Sequence, residues 1–481
     1  MKVTKSSIFT TFTFLCVFIY FAIFRLFLIP VGDDYFWYGD KGMYLLHHAF
    51  YSANSIYGGS SNGRYLANSL EMLMMHSRPI AMLLFAFFWT LAIWAIWQLL
   101  RREKSIIPLI IAISMAFTLP KGFKQNILLW NNAFIVYVPP IAIILTYLVI
   151  CKKLGTDHNS KVLAVVAFIL GLSGGLFLET TTILQIAVGI IIILNSHKHP
   201  RAYQISYLTG AVLSALIMFT NLSYFTSNTS NYRRTSFALT DIWKMLSSFT
   251  HYWLLSFNLL VIFSICLAII LLSIRRKLNS YAKWIEIIMS LLFMIYFAFS
   301  KIYLSFFKPK KQFLFSGGLD TFNQLDTIAS LSFILFLGFS IFVQFKNNKL
   351  MYLYYLLAGI SFAPVLVVMT PISCRPEFIP YVFLYLIAGN FVLSTFEIYN
   401  FKFFIPIIIL LIIGVAGNYQ VKMYQNYFAN LERVKQSDFL DGAGPLKTHV
   451  PHRDYVFYND DLLQQDGTYW RNYLDRHDNE N

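Results

Sequence analysis

The chain has 481 residues, 57% hydrophobic, 18% aromatic and only 13% charged, with 38 Lys and Arg against 23 Asp and Glu. A soluble domain carries roughly twice that share of charge, so the composition excludes a water-soluble enzyme and points to a polytopic membrane protein. The net charge of +15 does not imply nucleic acid: no RNA- or DNA-binding module is legible, and the cations fall in short loops between apolar runs.

The first predicted element is a membrane helix over 8–29, preceded by Lys2 and Lys5 and lacking a small-residue cleavage site before Pro30. It reads as a retained signal anchor. It opens into a long loop, about 31–79, headed by Gly32-Asp33-Asp34-Tyr35. Adjacent carboxylates at a membrane boundary repel and are costly to desolvate. They are expected to face water, a metal, a cation or a substrate, the plain alternative being a solvated turn. On an extended segment the two point in opposite directions and take different roles.

Farther along this loop, 42–57 carries Met43, Leu46, Phe50 and Tyr57 near helical spacing, and 64–75 carries Tyr65, Leu66, Ser69, Leu70 and Leu73 likewise. Both pieces are too short and polar to span, and are expected to lie along the bilayer surface. Gly58-Gly59-Ser60-Ser61-Asn62-Gly63 between them predicts a flexible turn. His47 and His48, being adjacent, cannot both reach one metal from a helix and read as surface residues.

Twelve more spans follow, at about 80–100, 106–120, 133–151, 161–178, 180–195, 203–220, 252–274, 281–300, 327–345, 350–369, 379–396 and 402–418. The expectation is therefore an all-α fold of about thirteen transmembrane helices. No internal repeat is visible, which counts against transporters built from duplicated halves. Cys16, Cys151, Cys266 and Cys374 form no CxxC and suggest no disulfide.

Short basic connections at 101–104, 152–161, 197–201, 275–277, 346–349 and 402 define the inner side, with the N-terminus inside. The long segments, 31–79, 120–132, 221–251, 301–326, 370–379 and the tail, fall outside. Lys308-Pro309-Lys310-Lys311 goes against the rule, but long loops cross with little regard to charge. The chain divides into a membrane domain, 1–418, and an extracytoplasmic tail, 419–481. In that tail Tyr455-Val456-Phe457-Tyr458 with Asp460-Asp461 reads as a strand and turn of a small cap.

Glu179, in Gly174-Gly175-Leu176-Phe177-Leu178-Glu179-Thr180-Thr181-Thr182, stands amid apolar sequence and needs a partner or a wet cavity. A Thr-capped helix end is the alternative, and the glycines would let another helix or a lipid chain approach. The cations available outside are Arg64, Arg233, Arg234 and Arg375, the last framed by Pro371 and Pro376. For Arg233 and Arg234, lipid headgroup contact is equally open. Arg25 reads as a snorkelling residue. Tyr35, Trp37, Tyr38, Tyr65 and Trp130 suit sugar stacking and an interfacial belt alike.

Gly32-Asp33-Asp34-Tyr35 after the first helix, Asn62-Gly63-Arg64-Tyr65 closing the loop, Trp130 with Tyr137 and Pro139, and the Gly-rich run into Glu179 together resemble bacterial proteins allied to the GT-C glycosyltransferases. Asn228–Arg234 replaces the Pro-Gly-Asn turn that such proteins carry. The resemblance implies an enzyme of the bacterial cytoplasmic membrane. It would take a hexosyl or pentosyl unit from a polyprenyl-phosphate carrier and pass it, with inversion, to an envelope glycan or lipid-linked acceptor. Asp34 is then expected as the base, with Asp33 holding geometry or a divalent cation such as Mg or Mn, and Glu179 as a further catalytic residue. Arg375, Arg64, Tyr65, Arg233, Arg234, Trp130 and Tyr137 are expected to bind substrate, arginine because its fork matches phosphate oxygens. Two alternatives stand beside it: a transporter or lipid-glycan flippase using Glu179 for ion coupling, and a polysaccharide polymerase or ligase using its loop arginines.

Overall fold

The computed structural model describes residues 5–102, 105–154, 160–196, 200–225, 235–247, 252–307, 321–368, 373–401, 403–436, 449–460, 463 and 467–478. They are all-helical, with one isolated bridge between Thr235 and Val368. Among them nine helices are long and apolar enough to cross a membrane, as a polytopic membrane protein requires, or ten if one bent pair is a single span. That pair, Ile107–Phe117 and Lys121–Leu128, bends by 71° around Pro120, where the missing amide hydrogen interrupts the ladder. Three shorter apolar helices complete the set.

Two compact units result, one drawn from 1–95, 124–227 and 412–481, the other from 96–123 and 228–411. The first contains α1 (Lys5–Leu26), three short helices α2 (Asp33–Tyr38), α3 (Asp40–His47) and α4 (Tyr65–His76), and most of α5 (Arg78–Leu100). The bent pair supplies α6 (Ile107–Phe117) to the second unit and α7 (Lys121–Phe123) with a π-turn across Lys124–Leu128. The first unit resumes with α8 (Asn131–Leu154), α9 (Lys161–Gly174), α10 (Glu179–Leu194) and α11 (Ala202–Phe219). α8 is its central post, buried along most of its length and packed on α2, α4, α9 and α10. Pro139 and Pro140 lie within α8, both buried. Gly171 of α9 and Gly210 of α11 let those helices touch backbone to backbone: a Cβ at Gly171 would meet Tyr207 O at 2.2 Å.

The second unit continues with α12 (Leu239–Met245), α13 (Leu259–Arg275), α14 (Ser280–Phe307), α15 (Thr321–Gln344), α16 (Lys349–Phe362) and α17 (Phe378–Tyr399). α17 is buried nearly throughout and packs on α6, α13 and α16. Last come α18 (Phe404–Val434), which belongs to the first unit from Ile412 on, and α19 (Gly467–Asp478), wholly of the first unit. α1, α14 and α18 present Phe12, Leu15, Leu292, Ile295, Leu410 and Leu411 outward, the surface that lipid covers.

Several expectations change. α18 runs on to Val434, well past 418, so the helix crosses the boundary drawn between membrane domain and tail. The tail forms 3-10 turns at Arg453–Tyr455 and Phe457–Asp460 instead of a strand, because Tyr458, Asn459 and Asp460 take left-handed φ of 55°, 51° and 62°. The expected loop at 120–132 is helical and largely buried. Arg233, Arg234 and the Lys308–Lys311 cluster lie outside the described residues.

Candidate functional site

Gly32 turns the chain out of α1 with φ 61° and ψ −118°, a conformation side chains disfavour. The turn sets Asp33 and Asp34 in the first turn of α2, helical where an extended segment is expected, and still sends them apart. Asp33 is exposed; Asp34 is fully buried. Asp34 Oδ2 accepts from Val31 N at 2.9 Å and Asn131 Nδ2 at 3.2 Å, while Oδ1 accepts from Asn132 N at 3.0 Å. Trp130 Nε1 donates to Val31 O at 3.0 Å, and Tyr35 OH donates to Pro30 O at 2.7 Å. The acidic run is thus one exposed carboxylate on a turn that the other ties to the start of α8.

Behind Asp34 stands Glu71, which the sequence pattern passes over. α4 buries Ala67, Asn68, Glu71, Met72, Met74 and Met75, while Tyr65, Leu66, Ser69 and Leu70 are half-buried and Leu73 is exposed. Both Glu71 oxygens are buried without a hydrogen-bond partner among the described residues, and the carboxyl faces Asp34. A proton kept between the two carboxyls supplies the missing donor. Burial is the main force raising both groups, with their mutual repulsion pushing Glu71 well above the carboxylate range; Arg25 pulls the other way.

Stability therefore depends on pH in a defined sense. The folded pair holds its proton where the unfolded chain, titrating near the ordinary value of about 4, has lost it. Stability then falls as pH rises from that range towards and past neutrality. Thermal melts between about pH 5 and 8.5 should show this loss in wild type and a smaller one in Glu71→Gln, which has no such proton to release. Equal slopes would refute the shared proton.

Asn62-Gly63-Arg64-Tyr65 forms a second cluster, ordered where a flexible turn is expected. Asn62 Oδ1 accepts from Arg64 N at 2.9 Å and Asn68 Nδ2 at 3.1 Å. A Cβ on Gly63 would meet Met218 O at 2.2 Å, so only glycine lets the loop lie against α11. Arg64 Nε reaches Glu179 Oε2 at 2.9 Å, its second nitrogen lies 2.8 Å from the same oxygen, and Tyr224 OH donates to Oε1 at 2.7 Å. Asn221 Nδ2 donates to Tyr65 OH at 3.1 Å. Glu179 has found its partner: the ion pair clamps the loop to the N-terminus of α10, and each motif residue contributes to that docking.

Trp130 is buried and stacks on Phe457 of the tail at 3.8 Å, so its ring faces protein here. Tyr137 lies buried in α8. His47 and His48 are exposed, His48 stacking on Tyr44. Arg375, in the second unit, donates from Nε to Ser373 Oγ at 2.7 Å and is half-buried. Among the described residues no three His, Cys, Asp or Glu side chains are placed to hold a metal. The donor set at Asp33 does not fit a divalent ion held by protein alone.

Beside the acidic run opens a cavity of about 420 Å³, lined by Arg25, Tyr38, His76, Arg78, Tyr427 and the α19 residues Tyr469, Trp470, Asn472 and Tyr473. Arg25 does not snorkel: it is 6% exposed and sits within electrostatic reach of Asp34 and Glu71. Trp470 Nε1 donates to Tyr35 OH at 3.0 Å, and Asn472 Nδ2 to Tyr38 OH at 2.9 Å. The tail therefore builds one wall of the cavity. Its signal in the sequence is the aromatic set Tyr469, Trp470 and Tyr473 at helical spacing. Compared with protein-family models, curated proteins and solved structures, the chain matches none.

Proposed function

We propose that the protein is a membrane glycosyltransferase of the kind the GT-C resemblance implies, working on the extracytoplasmic face. One observation carries the reading: an exposed carboxylate, Asp33, stands on a turn that buried Asp34 ties to the start of α8, and Pro30 and Tyr38 on either side of it line a cavity with Arg25, Arg78, Tyr427, Tyr469, Trp470 and Tyr473. In this reading the acceptor hydroxyl passes its proton to Asp33 as its oxygen attacks the anomeric carbon. The bond from that carbon to the carrier phosphate breaks on the opposite side, and the configuration inverts. Burial makes Asp33, rather than Asp34, the carboxylate an acceptor reaches. Asp34 positions it. Glu179, paired with Arg64, holds the loop. No step uses a cation.

Thirteen crossings accompany this reading, with the bent pair and the three shorter apolar helices counted as spans. An odd number sets the two termini on opposite sides, and the short basic connections favour the N-terminus inside and the C-terminus outside. A cysteine introduced at Ser60 or Gly467 should react with an impermeant maleimide in intact cells, and one at Asn159 should not. The reverse pattern would overturn the orientation.

A transporter reading has its own observation. Asp326 is buried among Ser256, Tyr296 and Ser300, and Glu286 accepts from Ser273 and Gln344 inside the second unit. Carboxylates at such depth mark ion pathways in many membrane proteins. The assay that separates the two is glycan modification by cells carrying Asp33→Asn or Glu286→Gln. Loss in the first and retention in the second is the expected result.

A further inference from the structure

We propose that the junction of α13, α14 and α15 around Glu286, within the second unit, binds a sodium ion. This goes beyond glycosyl transfer, since no step of that reaction involves Glu286. It requires binding alone, so it holds under either reading above.

The carboxylate is the first argument. Glu286 is fully buried on α14, a helix long enough to cross a membrane, where a charge is costly unless it is compensated. Its Oε2 accepts from Ser273 Oγ of α13 at 2.5 Å and from Gln344 Nε2 of α15 at 2.6 Å. Two donors so close are how an ionised carboxylate is held: O–H···O⁻ contacts of about 2.5–2.7 Å mark charge-assisted bonds. Arg276 does not complete the site. It follows α13, half-buried, and its Nη1 donates to Gln344 O at 2.6 Å and to Gln344 Oε1 at 3.0 Å. Its charge thus rests on the last carbonyl of α15, the end where a helix dipole favours a cation. The same contact turns the Gln344 amide so that its amino group meets Glu286.

The second argument is what the other carboxylate oxygen lacks. Glu286 Oε1 is buried with no hydrogen-bond partner among the described residues, and so are Ser340 Oγ and Ser290 Oγ. Ser340 faces the Glu286 carboxyl from α15, one turn before Gln344. Ser290 follows Glu286 by one turn on the same side of α14. A cation supplies what these oxygens are missing: the carboxylate gives it charge and the hydroxyls turn their lone pairs to it. Hard oxygen donors with a single carboxylate suit a hard ion of one charge. Bound sodium leaves the site neutral, which removes most of the cost of burying Glu286. Few donors set between packed helices favour sodium over the larger potassium. Ser273 lies one turn from the exposed Lys277 and Asn279, so the path to water is short.

The test uses the full-length protein in nanodiscs, with thermal unfolding followed while sodium, potassium or choline chloride is titrated at constant ionic strength. Sodium should raise the melting temperature and saturate. Potassium should need at least tenfold higher concentration, and choline should have no effect. Glu286→Gln should abolish the sodium response. Because that substitution sits in a buried network and puts folding at risk, Ser340→Ala and Ser290→Ala carry the test if it is lost, each weakening sodium at least tenfold. A serine that only packs would leave the ion dependence unmoved. Equal responses to sodium and choline would overturn the proposal, as would an unchanged sodium response in both serine variants. Equal responses to sodium and potassium would overturn the sodium assignment. A melting temperature that ignores sodium and rises only with acid would put a proton on Glu286 and overturn the cation site.

Discussion

Asp33→Asn is expected to lower transfer by roughly two to four orders of magnitude, the range usual for losing a general base, with the protein still folded. Its side chain is exposed, so its loss removes no buried packing. Asp34→Asn should behave differently. Asp34 Oδ1 accepts the amide hydrogen of Asn132 and Oδ2 accepts that of Val31. An asparagine has one acceptor oxygen, so in either orientation its amino group faces a backbone donor. The mismatch is buried and should cost about 1–3 kcal/mol. Activity should then fall with the folded fraction, and melting temperature with it. Measuring transfer per folded molecule beside a thermal melt separates the two carboxylates. An Asp34→Asn protein that melts like wild type yet transfers nothing would move the base to Asp34. Wild-type transfer by Asp33→Asn would end the enzyme reading, and with Glu286→Gln inactive would favour the transporter.

Why the sequence foretells one half of this site and hides the other has a physical answer. The long apolar runs predict their helices because hydrocarbon admits few alternatives to a satisfied backbone. Asp33, Asp34 and Glu179 are conspicuous because charge near apolar sequence is rare. Glu71 escapes because Ser69-Leu70-Glu71-Met72-Leu73 reads equally well with the carboxylate outside. Its inward turn is decided by α8 and by Asp34, contacts far away in the chain. The same holds for Arg25. A cation one turn from a helix end is normally a snorkelling residue, and only the arrival of α5 and α19 at that end closes a cavity over it. Glu179 shows the converse. Its need for a partner is legible, but the partner, Arg64, stands 115 positions away, at the end of a loop whose docking rests on the absent side chain of Gly63.

Asp460→Ala is expected to release the tail. Asp460 is buried, and it receives Arg453 Nε at 2.8 Å and lies 3.2 Å from Nη1 of the equally buried Arg433. Removing one member of a buried ion pair costs about 3–5 kcal/mol, because the remaining charge is left without compensation. Backbone strain adds to the loss. Tyr458, Asn459 and Asp460 hold consecutive left-handed conformations, each costing on the order of 1–3 kcal/mol unless its surroundings enforce it. Here the two arginines and the stack of Phe457 on Trp130 are what enforce it. Without the carboxylate the turn relaxes, and Trp470 loses its hold on Tyr35. The measurement is maleimide labelling of a cysteine placed at Leu463, a position 1% exposed, in a background free of native cysteines. Labelling should be slow with Asp460 present and at least tenfold faster in Asp460→Ala, in proportion to the population of the undocked tail. The membrane helices, which do not depend on this contact, should stay folded. Slow labelling in both proteins would show that the tail is held by its aromatic contacts alone.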